Sequence, residues 1–386
     1  MPLGIARTTF ARHGLMLIVA CLLTFGVLMV ASAGQTIGTG TSSGLLSLLG
    51  RPALLGALAL VMMVLGSWLP VRWLGRGRGG KTALVMIGVG IIALLVAVYL
   101  PVVGREVNGA RRWISLGPVG FQPSEVAKWG LLPILAGCAA RHAGQLGGLR
   151  RGLVYPLALV GLICALVGAQ DLGTAALIGL VSVAVLLAGG ARLVHLVLVV
   201  PVAGAGFVAA IVASPYRLQR LRAFLDPYQD PQGVGYHLIH SLATVTSGGL
   251  PGRGLGNGIQ KFGYLPEDTT DFIFAIICEE LGLFGAATVI FLYCGLLVCG
   301  WLIIRSLRDP FCRLLAVGIL LTIGLQALLN IAVVTGMAPT KGIALPLVSS
   351  GGTGWVLTAF SIGLLVSMSS EAQDDEPSLV TRVEYS

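Results

Sequence analysis

The sequence predicts an all-α integral membrane protein of ten transmembrane helices, with a large outer loop between the seventh and the eighth. Three observations carry this. Hydrophobic residues make up 56% of the 386 and charged residues only 11%, where a soluble domain carries roughly 25% charged. The apolar residues lie in continuous runs near the ~20 that a helix needs to cross hydrocarbon, which favours helices over a barrel. Lysine and arginine gather in short loops on one side, the pattern of positive-inside insertion. That bias accounts for much of the net charge of +9, so the charge does not indicate nucleic acid.

The expected spans are 14–33, 53–70, 82–102, 123–140, 152–168, 173–190, 192–213, 272–304, 312–335 and 351–369. The first is too long for a signal-peptide core and lacks a clean cleavage site, so it is retained as a span. The eighth is long enough to tilt or to leave the bilayer at one end. Residues 1–370 form one polytopic domain, and 371–386 form an acidic, disordered tail dispensable for chemistry. With the N-terminus inside, the inner face holds Arg7, Arg12, Arg72, Arg76, Arg78, Lys81, Arg141, Arg150, Arg151, Arg192, Arg305, Arg308, Arg313 and Arg382. Both termini are then cytoplasmic. The seven cysteines are odd in number and lie in or beside apolar runs, as packing residues do.

Basic residues on the outer face run against the insertion bias. The loop 103–122 carries Arg105, Arg111 and Arg112; the loop 214–271 carries Arg217, Arg220, Arg222, Arg253 and Lys261; the last outer loop carries Lys341. A pyrophosphate on a lipid headgroup is the natural ligand for such cations. The plainer alternative is that long loops translocate whatever their charge, and that these residues pair with Asp226, Asp230, Glu267 and Asp268. Within the large loop, Asp226–Gly233 is rich in turn formers and Tyr236–Val245 has the pattern of an amphipathic interfacial helix. The glycines that follow, Gly252, Gly254, Gly256 and Gly258, lack the strand and basic end of a nucleotide-binding loop. They permit tight turns and close approach to a ligand, or simple flexibility.

Asp271 stands where this loop meets the eighth span. Partial desolvation raises the proton affinity of such a carboxylate and the helix dipole lowers it, so the position suits a general base. Glu279 and Glu280 follow eight and nine residues on, about 12–13 Å deeper in a continuous helix. Glu125 and Lys128, three apart, share a helix face on which they can pair with each other. Two readings of these charges stay open: a structural ion-pair network of Glu279, Glu280 and Lys128, or Lys128 orienting Asp271 and keeping it ionised.

Five segments resemble the SEDS family (shape, elongation, division and sporulation) of FtsW and RodA. They are Asn108–Ile114 with Gln122–Lys128, Asp171–Ala175, Tyr216–Pro227, Ser247–Gly282 and Gly336–Gly352. Pro339-Thr340-Lys341-Gly342 and Tyr264-Leu265-Pro266-Glu267 look closer to the division-type than to the elongation-type members. The resemblance implies a peptidoglycan glycosyltransferase that polymerises lipid II at the outer face of a bacterial cytoplasmic membrane, partnered by a class B penicillin-binding protein and other division or elongation membrane proteins. It places the essential acid on Asp271 and supporting residues on Arg112, Trp113, Gln122, Glu125 and Lys128, with Arg217, Arg220, Glu267, Glu279, Glu280 and Lys341 as further candidates. No side chains have metal-ligand spacing, so a Mg or Mn ion is expected only with the substrate pyrophosphate. Two departures, His240 for glutamine and Ala169-Gln170 before Asp171, bear on lipid contacts and not on the reaction class. The rivals are an elongation polymerase of the same chemistry, a lipid II flippase or carrier relaying protons through Glu279, Glu280 and Asp171, and a scaffold that recruits a transpeptidase.

Overall fold

The computed structural model describes residues 3–34, 50–100, 103–107, 110–116, 119–142, 148, 152–260 and 269–374. Among the described residues, ten helices of 15 to 34 residues overlap the expected spans. They are α1 (Leu3–Ala33), α2 (Arg51–Trp68), α4 (Gly77–Ala97), α5 (Pro123–Arg141), α6 (Val154–Gly168), α7 (Leu172–Ala188), α8 (Leu193–Val212), α11 (Ile273–Ser306), α12 (Pro310–Val334) and α13 (Gly352–Asp374). Three short helices join them: α3 (Arg72–Gly75), α9 (Pro215–Leu225) and α10 (Tyr236–Ser247). Seven of the described helices are long and apolar enough to cross a membrane, and α6 and α7 are shorter apolar helices. Polar Glu125 and Lys128 lower the apolarity of the 19-residue α5, which is not among those seven. The seven cysteines are free thiols.

Helices α5, α11, α12 and α13 form the centre, where α12 packs against α5, α7 and α11. Helix α2 lies along α13, and α1 along α11. Helix α8 stands at the edge, with Leu196 its one buried residue. At one end of the bundle Arg76 pairs with Asp309 at 3.1 Å and Arg141 donates to the Leu74 carbonyl. The charged residues of the site gather at the other end.

The structure departs from expectation in four places. The outer loop 103–122 folds as an antiparallel sheet, β1 (Gly104–Val107), β2 (Ala110–Leu116) and β3 (Val119–Phe121), in the order β1-β2-β3. Gly104 faces Ile114 and Ile114 faces Phe121. The stretch after α8 forms a helix, α9, which the turn-rich reading of the loop did not include. Helix α13 continues to Asp374, inside the expected tail; residues 375–386 lie outside the described residues, as do Arg150, Arg151, Lys261, Glu267 and Asp268.

The fourth departure is a break in the eighth span. Helix α11 has 34 residues, about 51 Å at 1.5 Å per residue, against ~30 Å of hydrocarbon. Gly282, at φ 63° and ψ −157°, divides it. The stretch from Leu283 to Ser306, about 36 Å long, is sufficient to span alone. Glu279 and Glu280 therefore sit at the break, near the outer end of the spanning part, and not at mid-depth. The backbone of Gly282 lies in a region open essentially to glycine. Gly282→Ala is expected to cost more than the ~1–3 kcal/mol of backbone strain alone, because its Cβ would also overlap the main chain of Gly252 and Leu250; the loss is read as a lower thermal unfolding midpoint in detergent. An unchanged midpoint would mean that the break relaxes without cost.

Candidate active site

Asp271 is half-buried just before Phe272, the residue that caps α11. Asn330 of α12 is 1% exposed and fixes the main chain around it. Its Nδ2 donates to the Asp271 carbonyl at 2.8 Å and to the Ile343 carbonyl at 2.7 Å. The Ser350 amide adds a bond to the Thr269 carbonyl at 2.8 Å. The mouth of α11 is thus laced to the loop between α12 and α13, whatever side chain stands at 271. Gly342 of that loop lies so close that a Cβ there would be 3.0 Å from Asp271 Oδ2. Glycine is what allows the loop to run against the carboxylate.

One residue along is Lys341. Its aliphatic stem lies against Gly173 and its Nζ is 5.3 Å from the centre of the Phe207 ring. Burial pushes the ammonium below the usual lysine range, and Asp171 opposes that push. Asp171 caps α7, accepting from the Thr174 amide and hydroxyl, each at 3.0 Å. Arg112 of β2 approaches Asp171 Oδ2 with Nη1 at 3.7 Å. Asp171 thus lies beside both Lys341 and Arg112, and Gly342, next to Lys341, lies against Asp271; together these residues make up the rim of the site. The sheet absent from the sequence reading carries the arginine into it.

Lys128 pairs with Glu125, as their shared helix face predicts, and with none of Asp271, Glu279 and Glu280. At 3% exposed, it donates from Nζ to Glu125 Oε1 at 2.8 Å and to Gln326 Oε1 at 2.7 Å. Gln326 Nε2 continues to the Ala344 carbonyl at 2.8 Å. The ammonium neither orients Asp271 nor pairs with Glu279 and Glu280; it braces the Lys341 loop from below. Gln326 and Asn330, four apart on α12 and hence on one helix face, were missed. Two polar residues at that spacing in an apolar helix were the available signal.

The remaining candidates divide by what they touch. Arg217 donates to the carbonyls of Gly168, Ala169 and Ala210, at the ends of α6 and α8. Arg220 reaches the Thr340 carbonyl at 3.4 Å and lies over the Tyr216 ring. Both brace main chain beside the rim. Trp113 packs against Gly120 across the sheet, and the Gln122 amide meets the Thr353 hydroxyl at 3.4 Å. His240 Nδ1 is 3.3 Å from Gln260 Oε1, a hydrogen-bonding partner in the glycine-rich run. Glu279 and Glu280 point into that run, away from the rim. No group of three metal-ligating side chains comes together among the described residues.

The family model of the FtsW/RodA/SpoVE group, described as cell cycle protein, matches residues 13–374. A probable peptidoglycan glycosyltransferase FtsW from Alkalilimnicola ehrlichii is 42% identical over 365 residues, 93% of this chain and 89% of the relative. Among solved structures, one showing the structural coordination of polymerization and crosslinking by a peptidoglycan synthase complex matches with a TM-score of 0.70 and 29% identity. It covers 93% of this chain and 97% of its own. The rod shape determining protein RodA of Thermus thermophilus matches with a TM-score of 0.63 and 26% identity, over 93% of this chain and 96% of its own.

Proposed function

The chain belongs to the FtsW/RodA/SpoVE family of multi-pass membrane proteins, and on that footing we propose that it is a peptidoglycan glycosyltransferase polymerising lipid II at the outer face of the cytoplasmic membrane. The observation that carries this reading is a half-buried carboxylate, Asp271, against the loop that carries Lys341, whose neighbour Asp171 also meets Arg112. Asp271 takes the proton from the 4-hydroxyl of an acceptor GlcNAc as that oxygen attacks the anomeric carbon of a donor MurNAc. The C–O bond to the undecaprenyl pyrophosphate breaks on the opposite face, so the configuration inverts to a β-1,4 link. Lys341 and Arg112 hold the departing diphosphate, whose charge grows in the transition state. A Mg or Mn ion, if used, would be held by the substrate diphosphate and would supply further charge neutralisation there. The four-letter runs around Lys341 and Tyr264, with relatives named FtsW, favour division over elongation. A class B penicillin-binding protein is then the transpeptidase partner, in keeping with a structural relative that belongs to a peptidoglycan synthase complex.

Fluorescent lipid II supplied to the purified protein in detergent tests the enzyme against its rivals, with and without that partner. Glycan strands formed with no membrane to cross are the expected product; a flippase or a scaffold makes none. Lys341→Ala is expected to raise the KM for lipid II about 10- to 100-fold, the worth of a hydrogen bond to a charged group, with the fold intact. Because burial lowers the lysine's proton affinity, wild-type use of lipid II should decline on the alkaline side below the ordinary lysine value of 10.5. Lys341→Arg should remove that decline, since arginine stays protonated. An unchanged KM for lipid II in Lys341→Ala would discard the diphosphate role.

A further inference from the structure

The sugar-transfer step leaves two acids unused. Glu279 and Glu280 are each 0% exposed, and a carboxylate taken out of water is costly unless its oxygens find donors. Glu280 accepts the Ser32 hydroxyl of α1 at 2.7 Å and the Gly256 amide at 3.0 Å, both on Oε2. Glu279 accepts the Ile259 amide on Oε1 at 2.9 Å and the Gln260 amide on Oε2 at 3.3 Å, with Arg253 Nη1 at 3.7 Å. Of these donors, all but Ser32 belong to the glycine-rich run.

The same run closes the break in α11. The Arg253 amide donates to the Glu279 carbonyl and the Gly254 amide to the Glu280 carbonyl, while the Leu283 amide donates to the Gly249 carbonyl. Backbone groups freed by the lost helical turn are thus satisfied by the loop, as low-dielectric surroundings require. Gly252 and Gly282 meet main chain to main chain, and a Cβ on either would overlap the other's surroundings. The short half of α11, which begins two residues after Asp271, is clamped against the long half.

We infer that Glu279 and Glu280 are positioning residues, which lock the short half of α11 at a fixed angle and so hold Asp271 on the cationic rim. The inference rests on Asp271 being the base. The hydrogen-bond pattern makes the two acids unequal. Both oxygens of Glu279 accept backbone amides, so an Asn- or Gln-type NH2 must confront one of them. At Glu280 the Ser32 hydroxyl lies 3.0 Å from Oε1 and can turn to accept.

Two measurements on the full-length protein in detergent test this. In lipid II polymerisation, Glu279→Gln and Glu280→Ala should each lower kcat about 100-fold, the effect of a small displacement of a reacting group, while KM changes less than about twofold. Glu280→Gln should restore most of the loss. Trypsin cleavage after Arg253 reads the lock without substrate: it should quicken about tenfold or more in Glu279→Gln and Glu280→Ala, and return toward the wild-type rate in Glu280→Gln. Wild-type kcat in Glu279→Gln, a rise in KM that accounts for the loss, or unaltered cleavage would overturn the inference. A wild-type protein that makes no glycan would sink the transferase reading instead, and the cleavage rates would still decide the lock.

Discussion

Asp271→Asn is expected to lower the turnover of saturating lipid II by about 10²- to 10⁴-fold, the range general-base catalysis contributes. The amide has nearly the shape of the carboxylate but cannot take a proton. Asn330 holds the Asp271 carbonyl and not its side chain, so the mouth of α11 keeps its course. Membrane insertion, thermal midpoint and lipid II affinity should therefore stay near wild type. Asp271→Ala should behave alike in turnover. A scaffold would be indifferent to either change, and polymerisation retained in both variants would remove Asp271 from the mechanism.

Lys128→Met is the second large effect, and it falls on stability instead of chemistry. Removing one member of a buried ion pair leaves its partner charged and unsolvated, at about 3–5 kcal/mol. Here Glu125 Oε2 already lacks a hydrogen-bond partner, so losing the ammonium strands both oxygens. Gln326 Oε1 loses its donor as well, which loosens the loop that carries Lys341. Denaturant unfolding in detergent should show the loss, and the double change Glu125→Gln with Lys128→Met should recover much of it by removing the stranded charge. A single variant within about 0.5 kcal/mol of wild type, the usual effect of an unimportant surface change, would show that Lys128 does not brace the loop.

The spans were legible because crossing hydrocarbon imposes a length and an apolarity that sequence displays directly. Asp271 was legible for a related reason, as an acid at the edge of an apolar run. The break at Gly282 was not, because Glu-Leu-Gly-Leu-Phe-Gly reads as ordinary small-residue helix; only the loop folded onto it shows that the turn is lost. Asn108-Gly109, a dipeptide that favours hairpin turns, was a missed sign in the sequence of the sheet that delivers Arg112. The outer cations stood out by their side of the membrane, yet their division of labour depends on long-range packing. Arg217 meets carbonyls some fifty residues away in sequence, and Lys128 meets Gln326 nearly two hundred away. Such pairings leave no local pattern.

A structure of the protein with lipid II bound would test the central claim most directly. The acceptor 4-hydroxyl should lie within about 2.6–3.2 Å of the Asp271 carboxylate, with the donor diphosphate against Lys341 and Arg112. A diphosphate seated elsewhere, with Asp271 facing no sugar hydroxyl, would contradict it.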